Sequence, residues 1–161
     1  IGSRISGEVS DNSGYRPGVS LHCVCPEKKR PAMPEHALEA WHRLVDSRDP
    51  SGLRALLADD AVFHSPVVHT PQRGKRLAAG YLEAAFQVFF NPSFRYVREI
   101  VGDSDAMLEF ETEIDGIMVN GVDMIRWNDS GQIVDLKVML RPLKAINLVH
   151  QKMAAMLQSS R

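Results

Sequence analysis

The sequence predicts an α+β fold, a curved antiparallel sheet with helices over its concave side. Three observations carry that prediction. Apolar residues recur at helical spacing in the segments that follow Pro34, Asp49 and Gly74. From Phe94 to Arg141 the pattern changes to period-two alternation broken by short polar turns. A last amphipathic segment, "LKAINLVHQKMAAML", restores the helical period.

The chain has 161 residues, enough for one domain with a sizeable core. Residues 1–32 are rich in Gly, Ser, Pro and charge and hold no period, so they read as a poorly patterned N-terminal extension. Within them "HCVCP" is a candidate short strand. Met33 opens the patterned domain, taken as 33–161.

In the first helix Leu38, Trp41, Leu44 and Val45 share one face. "SRDPSGLRALLADD" predicts a second helix, with Asp49 as N-cap, Pro50 at its first position, and Leu53, Leu56 and Leu57 buried. "AVFHSPVV" reads as a strand broken at Pro66. "GKRLAAGYLEAAFQVFF" predicts a third helix burying Leu77, Tyr81, Leu82, Ala85, Phe86 and Phe89. After the turn "NPSF", "FRYVREIV" is a candidate strand. In "MLEFETEI", Leu108, Phe110, Thr112 and Ile114 point one way and Glu109, Glu111 and Glu113 the other. In the next strand Asp123, Ile125 and Trp127 share a face. "NDSG" turns the chain into a strand with Val134, Leu136, Val138 and Leu140 inward, which Pro142 ends.

Acidic and basic residues number 20 and 19, so no single-sign field points to nucleic acid or an anionic membrane. No apolar run reaches the roughly 18–20 residues of a membrane span, and no secretory signal is visible. Cys23 and Cys25 are too close for a disulfide and have no second pair for zinc, so a cytoplasmic setting is the default. No phosphate loop, nucleophile elbow or Cys–His pair is present, and His64 and His69 lack metal-ligand spacing. No cofactor or metal is expected.

The feature that calls for an explanation is Asp123, a carboxyl in an apolar strand. Two readings stay open: a solvated strand carboxylate, or a carboxyl lining the hollow between helices and sheet, where desolvation would raise its pKa. Trp41, Phe63, Tyr81, Phe86, Phe110 and Trp127 are candidates for an aromatic cavity wall, with core packing as the plain alternative. Ser65, Thr112, Ile125 and Val138 join them as candidate ligand-binding positions. Tyr81 is the candidate second polar group, and His69, near the expected mouth, a candidate proton carrier. His64 should face outward, and His36 and His42 solvent.

Through "LRALLADDAVFHSPV", the helix after Gly74, and "GVDMIRWNDSGQIVDLKVML", the chain resembles the nuclear transport factor 2-like superfamily, in its branch of SnoaL-like polyketide cyclases and ketosteroid isomerases. The resemblance implies a cone-shaped curved sheet, a cystatin-like α+β barrel, packed by three helices around a pocket, with a further helix at the C-terminus here. It also implies a homodimer through the outer sheet face, and a small apolar molecule as ligand. At the place of Asp123 the ketosteroid isomerases carry a carboxylic acid that stays protonated in an apolar site and donates to an enolate. Their general base matches Ser65, and their tyrosine donor matches Trp41. With one of the three positions kept, isomerisation in the ketosteroid manner is not expected. Two classes therefore stand: a cofactor-independent isomerase, cyclase or hydrolase acting through Asp123, or a non-catalytic ligand-binding or dimerisation module.

Overall fold

A computed structural model describes residues 35–159. The expectations for 1–32, "HCVCP" and the domain start at Met33 lie outside the described residues. Helix α1 spans Glu35–Ser47, a 3-10 turn Pro50–Gly52, and helix α2 Leu53–Leu56. Strands β1 (Leu57–His64) and β2 (Gln72–Arg73) follow, then helix α3 (Lys75–Phe89). Strands β3 (Arg95–Val101), β4 (Asp105–Ile114), β5 (Ile117–Trp127) and β6 (Ile133–Arg141) lead to helix α4 (Leu143–Ser159).

The fold is α+β, as predicted: one curved, unclosed six-stranded sheet in the order β2-β1-β6-β5-β4-β3, packed by four helices. The sheet is mixed rather than wholly antiparallel. β1 runs parallel to β6, and the other neighbours are antiparallel. The long crossover from β1 to β6 allows this, since only hairpin-linked strands are forced to be antiparallel.

The second helix is shorter than its pattern predicted. Asp49 caps the 3-10 turn, accepting from the Ser51 N–H at 2.9 Å. Leu53 and Leu57 are buried as expected, but Leu57 already opens β1. Tertiary pairing overrides helix propensity here, because Leu57 pairs with Ile133 of β6.

Helix α1 buries Ala37, Trp41 and Val45, one residue every turn, and leaves Leu38 and Leu44 half-buried. Helix α3 presents Ala78, Ala79, Leu82, Phe86 and Phe89 to the core, while Leu77 is exposed and Tyr81 half-buried. The buried stripe is therefore rotated from the predicted one. Small alanines let a helix approach the sheet closely, which leaves the bulkier Leu77 on the rim. Helix α4 buries Ala145, Val149 and Met153, again one per turn.

In β4 the predicted alternation holds, with Ala106, Leu108, Phe110, Thr112 and Ile114 buried. In β6 a register shift near Arg126 and Trp127 brings Ile133 inward in place of Val134, before Leu136 and Val138 resume the expected face. Two of the outward glutamates of β4 find partners on β3: Arg95 bonds Glu111 at 2.8 Å and Arg98 meets Glu109 at 3.2 Å. The β3–β4 register places Arg95 opposite Glu111 and Arg98 opposite Glu109.

Candidate functional site

Asp123 lies in the middle of β5, on its inward face between Gly121 and Ile125. Its cross-strand neighbours are Leu108 on β4 and Val138 on β6, both buried. The residue is 5% exposed, and no cation is paired with it among the described residues. Its pKa is accordingly raised from 3.8 to about 7, by burial first and against a counteracting hydrogen bond from Tyr96.

That bond belongs to a relay. The Tyr96 hydroxyl donates to Asp123 Oδ2 at 2.9 Å, and the Trp41 Nε1–H donates to the Tyr96 oxygen at 2.9 Å. Three elements meet here: α1 supplies Trp41, β3 supplies Tyr96, and β5 supplies Asp123. Burial and the nearby Asp123 charge raise the Tyr96 pKa well above 10, so the phenol remains a donor at physiological pH. The other carboxyl oxygen, Oδ1, takes no side-chain hydrogen bond among the described residues.

Rings hold the relay in place. Phe86 meets Trp41 edge-on at 6.1 Å, Phe94 meets Tyr96 at 5.1 Å, and His42 meets Tyr96 at 5.3 Å from the outer side. His42 pairs with Glu99 at 3.4 Å rather than standing free in solvent. His36 lies where side chains are outside the described set.

A small apolar hollow of about 30 Å³ lies between β1, the end of α3 and α4, and Asp123, Tyr96 and Trp41 are not part of its wall. Its wall draws on Phe63 and Ser65 around β1, Phe89 and Phe90 at the end of α3, Phe94, Phe110, Val138, and Val149 and Met153 of α4. Ser65 is the one hydroxyl in that wall among the described residues, and its oxygen accepts from the Val67 N–H at 3.3 Å. Phe94 and Val138 belong to both surroundings. They line the hollow and also flank Tyr96 and Asp123 respectively.

Of the residues proposed from sequence to bind a ligand, Phe63, Ser65, Phe110 and Val138 line the hollow. Trp41, Phe86, Ile125 and Trp127 are buried core behind it. Thr112 is not in the wall. It is occupied by Asn91, which donates to it at 3.0 Å, and by the Phe89 carbonyl, to which it donates at 3.2 Å. Tyr81 packs against Phe63 at 6.1 Å and borders a surface groove with Arg54 and Arg76, away from the hollow. His69 is exposed and outside the wall. Tyr81 was chosen because a buried hydroxyl wants a partner, but the ring is only half-buried; His69 was placed by its position just past β1, which says little about distance across a curved sheet. His64 points outward, as predicted, and pairs with Asp135 at 3.0 Å.

Sequence reasoning missed Tyr96. Three charges, Arg95, Arg98 and Glu99, interrupt "FRYVREIV", and a bulge shifts its register between Tyr96 and Arg98, so neither face reads as continuously apolar. The available signal was local: Phe94 and Tyr96 alternate with Arg95 just before the bulge.

The described residues contain no cluster of three His, Cys, Asp or Glu side chains placed to hold a metal ion. No helix among them is long and apolar enough to cross a membrane.

The SnoaL-like domain family matches residues 38–136. Among solved structures, a steroid delta-isomerase from Pseudomonas aeruginosa is 36% identical, with a TM-score of 0.74 over 78% of this chain and 91% of that one. An uncharacterised bacterial protein with a cystatin-like fold, from Silicibacter pomeroyi, is 32% identical, with a TM-score of 0.69 over 76% of this chain and 84% of that one. SalBIII, an epoxide hydrolase/cyclase-like enzyme described in pyran ring formation in the polyether salinomycin, shares the fold at 15% identity. Its TM-score is 0.54 over 66% of this chain and 88% of that one. No match was found among curated proteins.

Proposed function

Because the chain belongs to the SnoaL-like family, we propose that it is a cofactor-independent enzyme acting on a small apolar substrate, with Asp123 as its acid or hydrogen-bond donor. The reaction class is isomerisation, cyclisation or hydrolysis. One observation carries this reading: a buried carboxyl with a pKa of about 7, engaged through Oδ2 alone among the described residues. Near neutral pH such a group is a balanced mixture of acid and base, which suits proton transfer. In its neutral form it donates to a carbonyl or enolate oxygen, where a water-poor site strengthens the bond.

The hollow supplies the apolar contact area, and a ligand would reach the carboxyl behind its wall by opening it at Phe94 and Val138, the two wall residues that adjoin Tyr96 and Asp123. Two ligands of one shape test this: α-tetralone, a bicyclic ketone, and tetralin, the parent hydrocarbon. Near pH 6 the ketone should bind about tenfold more tightly, the worth of one buried hydrogen bond. That preference should shrink as pH rises through about 7, where Asp123 loses its proton. In Asp123→Asn the amide donates at every pH, so the preference should become independent of pH. Equal binding of ketone and hydrocarbon by the wild type would overturn the proposal.

A second reading, a non-catalytic ligand-binding or dimerisation module, has its own support. By the family resemblance Ser65 falls at the place of a general-base carboxylate, and an unassisted hydroxyl is too weak a base for that work. We further propose that the outer sheet face joins two copies of the chain in a homodimer. Ile100, Met107, Met118 and Met139 are exposed there, between ion pairs already closed within the chain.

A further inference from the structure

We propose that Trp41 is a positioning residue that sets the polarity of the Asp123 carboxyl, by deciding which of its oxygens carries the acid proton. This rests on the reading of Asp123 as a donor. An indole nitrogen donates and cannot accept. With Trp41 Nε1 at 2.9 Å from the Tyr96 oxygen, the tyrosine proton cannot be spent on Trp41. Its acceptor is Asp123 Oδ2, also at 2.9 Å. An oxygen that already accepts is the poorer site for the acid proton, so that proton resides on Oδ1, the oxygen without a side-chain partner among the described residues.

Without the indole donor the order can reverse. The Tyr96 oxygen would then be open to accept from a protonated Oδ2, and Oδ1 would face a ligand as a bare acceptor. The same carboxyl would favour an alcohol over a ketone. Trp41 also strengthens Tyr96 as a donor, because hydrogen bonds in a chain polarise one another. The surroundings add few competing charges. His42 on α1 and Glu99 on β3 lie on the outer side of Tyr96 and pair with each other. β4 and β6 flank Asp123 with Leu108 and Val138, and α3 packs Phe86 against Trp41.

The test is the titration of Asp123 followed by carbon NMR in wild type, Trp41→Phe, Tyr96→Phe and the double variant. Losing the indole donor should weaken the Tyr96 bond and raise the Asp123 midpoint by about half a pH unit or more. A purely structural Trp41 predicts the opposite sign, because a loosened core admits water and lowers the midpoint toward the ordinary value. In the Tyr96→Phe background, Trp41→Phe should add nothing. A midpoint that falls or stays fixed in Trp41→Phe, or an equal rise with and without Tyr96, would overturn the proposal. If Trp41→Phe does not fold, hydrogen exchange decides instead. The Trp41 indole proton should exchange at least tenfold faster in Tyr96→Phe than in wild type, and an unchanged rate would mean that the bond is not made. Neither readout uses ligand or turnover. The relay can therefore fail while the ketone preference stands, and the reverse.

Discussion

Asp123 is held in a place that favours its neutral form, and this has a consequence for folding. In the unfolded chain the carboxyl titrates near its ordinary value of 3.8, and in the fold at about 7. Between those values the folded chain keeps a proton that the unfolded chain releases. Stability from this group is therefore greatest below about pH 4, falls as pH rises to about 7, and is level beyond. The whole loss is about 4 kcal/mol if nothing relaxes around the charge. Asp123→Asn keeps an acceptor for Tyr96 and cannot ionise. Its stability relative to wild type should therefore grow between pH 4.5 and pH 8, measured by urea unfolding at each pH. A difference that does not change with pH would mean that Asp123 is solvated or paired in the fold. At this scale the sequence was informative about one group and silent about its partners. Asp123 was visible because its neighbours at two-residue spacing, Ile125 and Trp127, are apolar. Trp41 was named as a ligand contact and matched to the family's donor position, but not as a donor to Tyr96, which was not named.

The strands explain how the carboxyl and the hollow come to be adjacent. Gly121 sits two residues before Asp123 on the same inward face, opposite Phe110 on β4 and Leu140 on β6. A Cβ at Gly121 would overlap the tip of the Phe110 ring and stand 2.7 Å from the Leu140 methyl. The missing side chain is thus the space that the Phe110 ring occupies, and Phe110 is part of the hollow's wall. Gly121→Ala should push that ring into the hollow, destabilise the fold by about 1–3 kcal/mol, and weaken binding of tetralone and tetralin alike. Unchanged urea midpoint and unchanged binding would show that the ring has room to move. Period-two alternation made β4 and β5 legible before any coordinates, because each has one apolar and one polar face. It misassigned the first inward residue of β6, and the helical period ran α2 past its end. At both points the chain follows cross-strand pairing, Trp127 with Ile133 and Leu57 with Ile133, which no local pattern encodes.

For the molecule as a whole, the open question is what meets the outer face of the sheet. Helices cover the inner face, but Met107, Met118, Met139 and Ile100 lie exposed on the outer one, Ile100 at 59%. Singly, exposed apolar residues are ordinary, but on adjoining strands of one face they form a patch. The charges among them do not oppose a second copy. Arg95 with Glu111, Arg98 with Glu109, and His64 and Arg126 around Asp135 are closed within the chain, so the face meets another nearly neutral. Two such faces related by a two-fold axis are self-complementary, since each presents the same methionines to its copy. The chain should therefore be a dimer at micromolar concentration by light scattering, and Met139→Asp should shift it to monomer without changing the Asp123 titration. The second half of that expectation separates assembly from the site, because Met139 points outward from β6 while its neighbour Val138 points into the hollow. A monomer mass for the wild type at high concentration would remove the dimer. The methionine face would then be an ordinary solvated surface, with side chains flexible enough to fold down over their own neighbours.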